Sequence, residues 1–246
     1  MHMPTDGSVE VHDVTETWGC LSLWGPNARH VLQAVSKSDV SNETFPYMTA
    51  RSIDLKGMEI WAQRVSYAGE LGWELYISPE HAIKVWDALM DAGKELGIQP
   101  AGYKALESLR IEKGYLYWSS DITPVDNPFD AGLGFCVNLD KGDFIGRDAL
   151  LKIKEQGIRR KLCAITMDAN CNLYGGESVY SHNRIIDRIR SGAYGYTIKK
   201  DIGLVYLPIE LAKEGLELQV EIFGEHVPAQ VAMTPLVDPR GERLRA

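Results

Sequence analysis

SYAGELGWELY, residues 66–76, is the stretch from which both the fold and the function of this chain can first be inferred. Two glycines bracket an acidic turn, and the residues that follow alternate between apolar and polar, which is typical of a half-buried strand. On such a strand Trp73 and Leu75 share one face. Glu74 and Tyr76 share the other. If the apolar face packs on the core, a carboxylate and a phenol project together into a cleft or into solvent.

This pairing is compatible with a ligand and also with an ordinary strand surface. A carboxylate held on a strand can accept two hydrogen bonds from a planar amidine-like edge, such as that of a 2-aminopyrimidinone. The alternative is an exposed strand face on which Glu74 is only solvated. The pattern by itself leaves both interpretations open.

Around this strand the first part of the chain alternates between helical and strand patterns. Apolar residues recur at helical spacing in four places, and Pro, Ser and Gly stand where helices begin or end. Residues 58–65 form another strand pattern. The first predicted helix begins with Pro26 at its first position and ends near Val35, and the second begins at Ser78–Pro79 and ends at Gly97. The third runs from about Tyr103 to Lys113, and the fourth from about Arg147 to Gln156.

After about Gly157 helical periodicity gives way to short strands separated by turn residues, which favours a small antiparallel barrel or sandwich. The predicted strands cover residues 161–167, 178–180, 202–206 and 216–223, and a return strand runs through Val231. We therefore predict an α+β fold with two domains, residues 1–156 and residues 157–246, of which the second is a small antiparallel β-barrel.

Composition excludes several classes of function. The 246 residues contain 34 acidic and 26 basic side chains, a net charge of -8, which is the opposite of what phosphate binding requires, so we expect no nucleic-acid partner. No apolar run approaches the roughly 18–20 residues of a membrane helix, so we expect no membrane. We also expect no signal peptide, because the first residues carry no basic stretch followed by an apolar core.

Cofactor and metal motifs are missing from the sequence as well. It contains no P-loop, GxGxxG, HExxH or GxSxG motif, and its six histidines are scattered, so we predict neither a flavin or nicotinamide module nor a metal site. The four cysteines form no CxxC pair and are expected to be small core residues in a reducing compartment.

A second cluster, residues 102–121, combines a helix with an aromatic loop. We expect Arg110 and Glu112 on the helix to form a structural ion-pair network. The aromatic residues of the loop are Tyr115, Tyr117 and Trp118. Such a loop suits stacking on a flat ligand, and it equally suits closure of a small core, so both alternatives stand.

Several of these stretches together resemble one family. The matching segments are SYAGELGWELY, SLRIEKGYLYWSSD (residues 108–121), NPFDAGLGF (127–135) and SGAYGYTIKKDIGLVYLP (191–208), in that order between about Val11 and Leu236. They resemble the tetrahydrofolate-binding region of dimethylglycine and sarcosine dehydrogenases, which is similar to the aminomethyltransferase, or T-protein, of the glycine cleavage system. The resemblance implies a folate-binding aminomethyltransferase-like domain followed by the barrel.

The resemblance also implies folate contacts at particular positions. The family's tyrosine and Glu-Leu-Tyr contacts correspond to Tyr67 and to Glu74, Leu75 and Tyr76, with Glu74 holding the amino edge of the pterin. A further tyrosine contact corresponds to Phe135, which keeps the ring and lacks the hydroxyl.

Two features of the family are not carried over. An arginine of the T-protein corresponds here to Leu106, so that contact is not expected. The family's catalytic aspartate belongs to a segment before VHDVT (residues 11–15), and Asp6 and Asp13 do not match it. We therefore expect that the chain lacks the N-terminal part of its domain, leave the catalytic residues unknown, and expect FAD only in an absent upstream domain or in a flavoprotein partner.

The implied activity is tetrahydrofolate-dependent transfer of a methylene or aminomethyl unit from a methylated amine such as dimethylglycine or sarcosine, or from a glycine-derived aminomethyl group. One alternative is a tetrahydrofolate-dependent demethylase, and another is a truncated, non-catalytic folate-binding module. The partners expected are folate, a small methylated amine and a flavoprotein domain or subunit. We expect a cytoplasmic protein, or one of the mitochondrial matrix in a eukaryote.

Overall fold

Alternation along the strands builds a four-stranded antiparallel sheet in the first part of the chain. The computed structural model describes residues 4–168 and 171–246, which form two compact units. The first unit comprises the residues up to Ser66, Glu70–Pro100 and Gly241–Ala246. Its strands are β1 (Gly19–Trp24), β2 (Ala50–Leu55), β3 (Met58–Gln63) and β4 (Gly72–Ile77), in the order β1-β4-β3-β2.

Two helices, α1 (Ala28–Val35) and α2 (Pro79–Gly93), cover one face of this sheet and bury its apolar residues. A 3-10 turn, Lys94–Leu96, extends α2 to Gly97, which adopts the left-handed conformation that glycine favours. The predicted start of the first helix is wrong by two residues. Asn27 precedes α1 at the cap position, so Pro26 lies in the turn before the helix.

The second unit comprises Tyr67–Gly69 and Ala101–Arg240. It contains α3 (Tyr103–Glu112) and α4 (Arg147–Gln156), both within the predicted bounds. Its seven strands are β5 (Arg160–Met167), β6 (Ser178–Ser181), β7 (Arg184–Arg188), β8 (Gly192–Gly195), β9 (Lys200–Pro208), β10 (Glu217–Ile222) and β11 (Glu225–Ala232). A short helix, α5 (Glu242–Arg245), follows in the first unit.

The seven-stranded sheet curls because one chain segment pairs with both of its ends. The sheet order is β7-β6-β10-β11-β5-β9-β8, with every pair antiparallel. The residues directly between β7 and β8 also bond to β9, since Arg190 N donates to Leu204 O at 2.7 Å and Leu204 N donates to Ser191 O at 2.9 Å. Residues 184–195 thereby connect the β6 edge to the β9 edge, which gives the predicted barrel.

Alternation on β5 serves two separate cores. Cys163 and Ile165 belong to the apolar cluster enclosed by the barrel strands, whereas Leu162 and Ala164 pack in a second cluster with Ile111 of α3. Helix α3 therefore covers the outside of the barrel. A strand that is buried on both faces explains why this part of the sequence is almost continuously apolar.

The cysteines only partly match the expectation that they lie in cores. Cys163 is buried and Cys171 is half-buried, but Cys20 and Cys136 are exposed, so the expectation is wrong for those two. The boundary between domains of residues 1–156 and 157–246 stays a prediction.

Candidate functional site

Strand β4 presents the predicted carboxylate and phenol on the face of the sheet opposite to the core. Trp73 and Leu75 are completely buried, whereas Glu74 and Tyr76 are half-buried. Tyr76 Oη donates a hydrogen bond to Glu74 Oε2 at 3.0 Å. The two side chains thus form one unit, and the face predicted from the alternation is confirmed.

Sheet register places four further side chains on this face. Ser22 of β1 and Gln63 of β3 lie opposite Glu74, and Cys20 and Trp61 lie opposite Tyr76. We call this group the strand patch; it consists of Cys20, Ser22, Trp61, Gln63, Glu74 and Tyr76. It combines a carboxylate with a phenol, a hydroxyl, an amide and an indole ring.

The protonation of Tyr76 defines how the strand patch can bind a ligand. Burial, together with the hydrogen bond to Glu74, raises the pKa of Tyr76 to about 12, so the phenol stays neutral and remains a donor at physiological pH. Within the described part of the chain, Tyr76 is the one side chain that donates to the Glu74 carboxylate. Glu74 Oε1 is therefore available to accept a hydrogen bond from a ligand.

Leu75 has a different environment from its two neighbours. Its side chain packs in the core of the first unit, and its position on β4 lies between Leu21 of β1 and Ala62 of β3. The structure therefore places it on the opposite face from Glu74 and Tyr76. Its predicted folate contact stays a prediction.

Tyr67 belongs to the second unit, where it packs among other tyrosines. Its ring stacks on Tyr115 with centroids 5.9 Å apart, and it meets Tyr117 edge-on at 6.3 Å. Tyr103 packs edge-on against Tyr117, and their hydroxyls are hydrogen-bonded. We call Tyr67, Tyr103, Tyr115 and Tyr117 the aromatic cluster. Tyr103 is the member that the sequence analysis missed, because it lies at the start of a helix, 12 residues before the aromatic loop.

The hydroxyl of Tyr67 is engaged within the cluster. It donates to Leu116 O at 2.8 Å. Burial raises the pKa of Tyr67 to about 12, with Arg110 opposing the shift and Asp121 adding to it. Because Tyr67 Oη already donates to the main chain, the ring face is the part of Tyr67 best suited to a further contact.

The other predicted positions lie elsewhere in the second unit. Phe135 lies in a 3-10 turn, Gly134–Cys136, and 85% of its surface is exposed. Leu106, which replaces the arginine of the T-protein, lies on α3 and is half-buried. The site roles predicted for Tyr67, Glu74 and Phe135 stay predictions.

The expected ion-pair network on α3 contains Arg110 but not Glu112. Arg110 pairs with Asp121 and Glu107. The Glu112 carboxylate instead accepts hydrogen bonds from Thr197 N and Thr197 Oγ1, both at 2.7 Å, and from Ile198 N at 3.1 Å. Glu112 therefore anchors the turn between β8 and β9, and the expectation of an ion pair is wrong for it.

The described residues were searched for metal sites and for membrane-spanning helices. No group of three or more His, Cys, Asp or Glu side chains within residues 4–168 and 171–246 is placed to hold a metal ion. No helix in the same ranges is long and apolar enough to cross a membrane.

Two family models match the chain. Residues 1–141 match the GCVT N-terminal domain, and residues 160–238 match the glycine cleavage T-protein C-terminal barrel domain. The chain belongs to the glycine cleavage T-protein family. Its fold is accordingly the predicted α+β domain followed by a barrel domain.

Individual relatives agree with this assignment. The chain is 36% identical over 241 residues to the human mitochondrial dimethylglycine dehydrogenase, covering 96% of this chain and 28% of the relative. It is also 36% identical to the aminomethyltransferase of Halothermothrix orenii, covering 93% of this chain and 63% of the relative. The crystal structure of aminomethyltransferase T from Bartonella henselae superimposes with a TM-score of 0.80 at 25% identity, covering 89% of this chain and 60% of that one. The chain thus spans less than two thirds of each of these proteins.

Proposed function

We propose that this member of the glycine cleavage T-protein family binds tetrahydrofolate and that Glu74 accepts hydrogen bonds from the amino edge of the pterin. The observation that carries the proposal is the Glu74–Tyr76 pair on the open face of β4. One carboxylate oxygen is fixed by the phenol, and the other is available to a ligand.

The residues of the strand patch fit the pterin chemically. The 2-amino group and the neighbouring ring N–H of a reduced pterin are parallel donors, and a carboxylate is an acceptor with matching spacing. The neutral Tyr76 phenol prevents the carboxylate from rotating out of this orientation. Glu74 and Tyr76 would hold the pterin. For Tyr67, in the second unit, we propose a folate contact through its ring face, as the resemblance implies.

The reaction that we propose is transfer of a methylene or aminomethyl unit to tetrahydrofolate, with release of the amine that carried it. The unit comes from a methylated amine, such as dimethylglycine or sarcosine, that a flavoprotein domain or subunit has first oxidised by two electrons to its iminium, or from a glycine-derived aminomethyl group, which needs no such oxidation. Such a transfer requires folate in a fixed orientation and exclusion of water from a reactive methylene species. Glu74 serves the first requirement by orientation.

A flavoprotein partner or domain is part of the proposal. Two groups of relatives carry the names dimethylglycine dehydrogenase and sarcosine dehydrogenase, and this chain spans only 26–28% of the human proteins of those names. FAD would belong to that further domain or to a separate subunit. Both of these relatives are named as mitochondrial proteins, so for a eukaryotic source the matrix is the proposed location.

Calorimetric titration of the protein with tetrahydrofolate tests binding. We expect saturable heat and a thermal shift, and the absence of both at millimolar ligand would contradict the proposal.

The product of a single turnover then identifies the reaction. Single-turnover formation of 5,10-methylene-tetrahydrofolate from a methylene-bearing amine supports methylene transfer, whereas 5-methyl-tetrahydrofolate from a methyl donor would replace it with a demethylase. Binding without turnover would identify a non-catalytic folate-binding module.

A further inference from the structure

Two opposite charges are completely buried beneath the aromatic cluster. Arg110 lies on α3 with 1% of its surface exposed, and Asp121, which follows the aromatic loop, is fully buried. The guanidinium donates from Nη1 to Asp121 Oδ2 and from Nη2 to Glu107. Burial opposes the charge on Arg110, but the two carboxylates outweigh it and raise the pKa of the guanidinium.

Both members of this pair bind the main chain of the aromatic loop. Arg110 Nη1 donates to Tyr115 O at 2.9 Å, and Tyr117 N donates to Asp121 Oδ2 at 2.7 Å. The guanidinium carbon of Arg110 lies 5.8 Å from the centroid of the Tyr117 ring. The ion pair therefore holds the loop at two residues that are only two positions apart.

These two anchored residues are the ring partners of Tyr67. Tyr115 stacks on Tyr67 and Tyr117 packs against its edge, while the Tyr67 hydroxyl donates to Leu116 O, between the two anchors. The two ring contacts and the hydroxyl contact of Tyr67 are thus made to a three-residue segment that Arg110 and Asp121 hold.

Stability alone does not account for a charge pair in this location. Removing two charges from water is expensive, and buried ion pairs contribute little net stability compared with apolar residues of the same volume. Arg110 Nε and Asp121 Oδ1 are buried, and within the described residues neither has a hydrogen-bond partner. The hydrogen bonds from the pair to the main chain, in contrast, are directional.

We propose that Arg110 and Asp121 are positioning residues: they fix the Tyr115–Tyr117 segment, and through it they set the Tyr67 ring in the orientation that stacks on reduced folate. The folate part of this inference rests on the proposed function. The orientation of the aromatic cluster does not depend on it.

Asp121→Asn tests the structural part. The amide keeps an oxygen for Tyr117 N but loses the charge that pairs with Arg110. We expect near-ultraviolet circular dichroism, which reports on packed tyrosines, to lose intensity while the far-ultraviolet spectrum is unchanged. Glu112→Gln is the matched control, since it changes a buried carboxylate on the same helix that anchors a different turn. Because one tyrosine pair, Tyr194 and Tyr196, flanks that turn, the control should lose clearly less near-ultraviolet intensity than Asp121→Asn does. An unchanged near-ultraviolet spectrum in Asp121→Asn would overturn the proposal.

If Asp121→Asn does not fold, Arg110→Lys takes its place, because lysine keeps the positive charge and loses the planar guanidinium. The same loss of near-ultraviolet intensity is expected, and an unchanged spectrum would again overturn the proposal.

The ligand part is tested by a double-mutant cycle with Tyr67→Ala. We expect Asp121→Asn to weaken tetrahydrofolate binding about tenfold in the wild-type background and less than about twofold in the Tyr67→Ala background, because coupled residues are not additive. Equal weakening in both backgrounds would show a general structural effect and overturn the positioning role. If the wild-type protein does not bind tetrahydrofolate, the proposed function fails, and the spectra above still decide whether the pair orients the cluster.

Discussion

The strand patch and the aromatic cluster reach their geometry by different means. On β4 the orientation of Glu74 and Tyr76 follows from a period of two residues and from hydrogen bonds of the sheet on both sides. In the aromatic cluster the orientation of Tyr67 follows from a buried ion pair between side chains 11 positions apart. The comparison shows that in a regular element the backbone decides which face a polar side chain occupies, so that a neighbour on the same face, here Tyr76, can fix its orientation. An irregular loop requires dedicated side chains to do so.

The largest expected loss of stability follows from a substitution in the core beneath the strand patch. Trp73 is fully buried next to Phe45, and two guanidiniums, those of Arg29 and Arg64, lie 5.4 and 5.7 Å from its ring. Trp73→Ala should lower the free energy of unfolding by about 3–5 kcal/mol, because it leaves a large cavity. Denaturant titration measures the change.

Trp61→Ala is the control for this substitution. Trp61 lies on the same sheet but on the open face, with 42% of its surface exposed. Its loss should lower the free energy of unfolding by about 1 kcal/mol or less, as surface substitutions do. Equal losses in the two variants would show that the two faces of the sheet have been assigned incorrectly.

The next effect concerns the turn that precedes β4. Gly69 has a φ of +77°, and a Cβ there would lie 2.8 Å from Cγ of Lys113, whose ammonium is held by Asp238 at 2.9 Å. Gly69→Ala should therefore cost about 2–4 kcal/mol of stability, combining backbone strain with displacement of a buried ion pair. Thermal and denaturant unfolding measure this cost.

Gly57→Ala separates the two contributions. Gly57 has a φ of +87°, but among the described residues no atom beyond its two chain neighbours lies within 4 Å of the position that a Cβ would take. Strain alone should cost about 1–2 kcal/mol. If Gly57→Ala is as destabilising as Gly69→Ala, then contact with Lys113 is irrelevant.

The smallest expected effect is a change in the pKa of Tyr76 when Glu74 is substituted. The pKa values of Tyr67 and Tyr76 are both raised from the ordinary 10 to about 12, principally by burial, but only Tyr76 also donates to Glu74. Glu74→Gln should lower the pKa of Tyr76 towards 10 and leave that of Tyr67 unchanged. A raised pKa in the folded state gives stability that is present below pH 10 and is lost as the pH rises towards 12. In the variant this loss should still begin near pH 10, but it should be smaller and should end at lower pH. Carbon-13 NMR of tyrosine Cζ, assigned with Tyr76→Phe, resolves the two titrations; equal shifts of both tyrosines would contradict the assignment of Glu74 to Tyr76 alone.

The sequence predicted those strands, helix starts and turns that depend only on residues close together in the chain. The period of β4, the Ser–Pro start of α2 and the turn between β10 and β11 were all identifiable, because each depends on neighbouring residues. The start of α1 was wrong, since a proline near a helix start fits the turn before the helix as well as the first helical position.

Long-range relations could not be predicted in the same way. No sequence spacing indicates that residues 184–195 join two edges of one sheet. Nor does any spacing indicate that Glu112 accepts hydrogen bonds from the turn at Thr197, or that Asp121 forms an ion pair with Arg110. The exposure of Cys20 has a similar origin, because it depends on the strand register opposite Tyr76. The candidate folate positions came from the resemblance, and the strand face of Glu74 came from the pattern.

The most direct test of the central claim compares two ligands on three proteins by calorimetry. Tetrahydrofolate and its analogue without the 2-amino group are titrated into the wild type, Glu74→Gln and the control Glu59→Gln, whose carboxylate is exposed on β3. We expect Glu74→Gln to lose about 1.5–3 kcal/mol of tetrahydrofolate binding, the contribution of a hydrogen bond to a charged group, and to lose the preference for tetrahydrofolate over the analogue. Glu59→Gln should match the wild type in both respects. Wild-type affinity and an unchanged preference in a folded Glu74→Gln protein would contradict the claim that Glu74 holds the pterin.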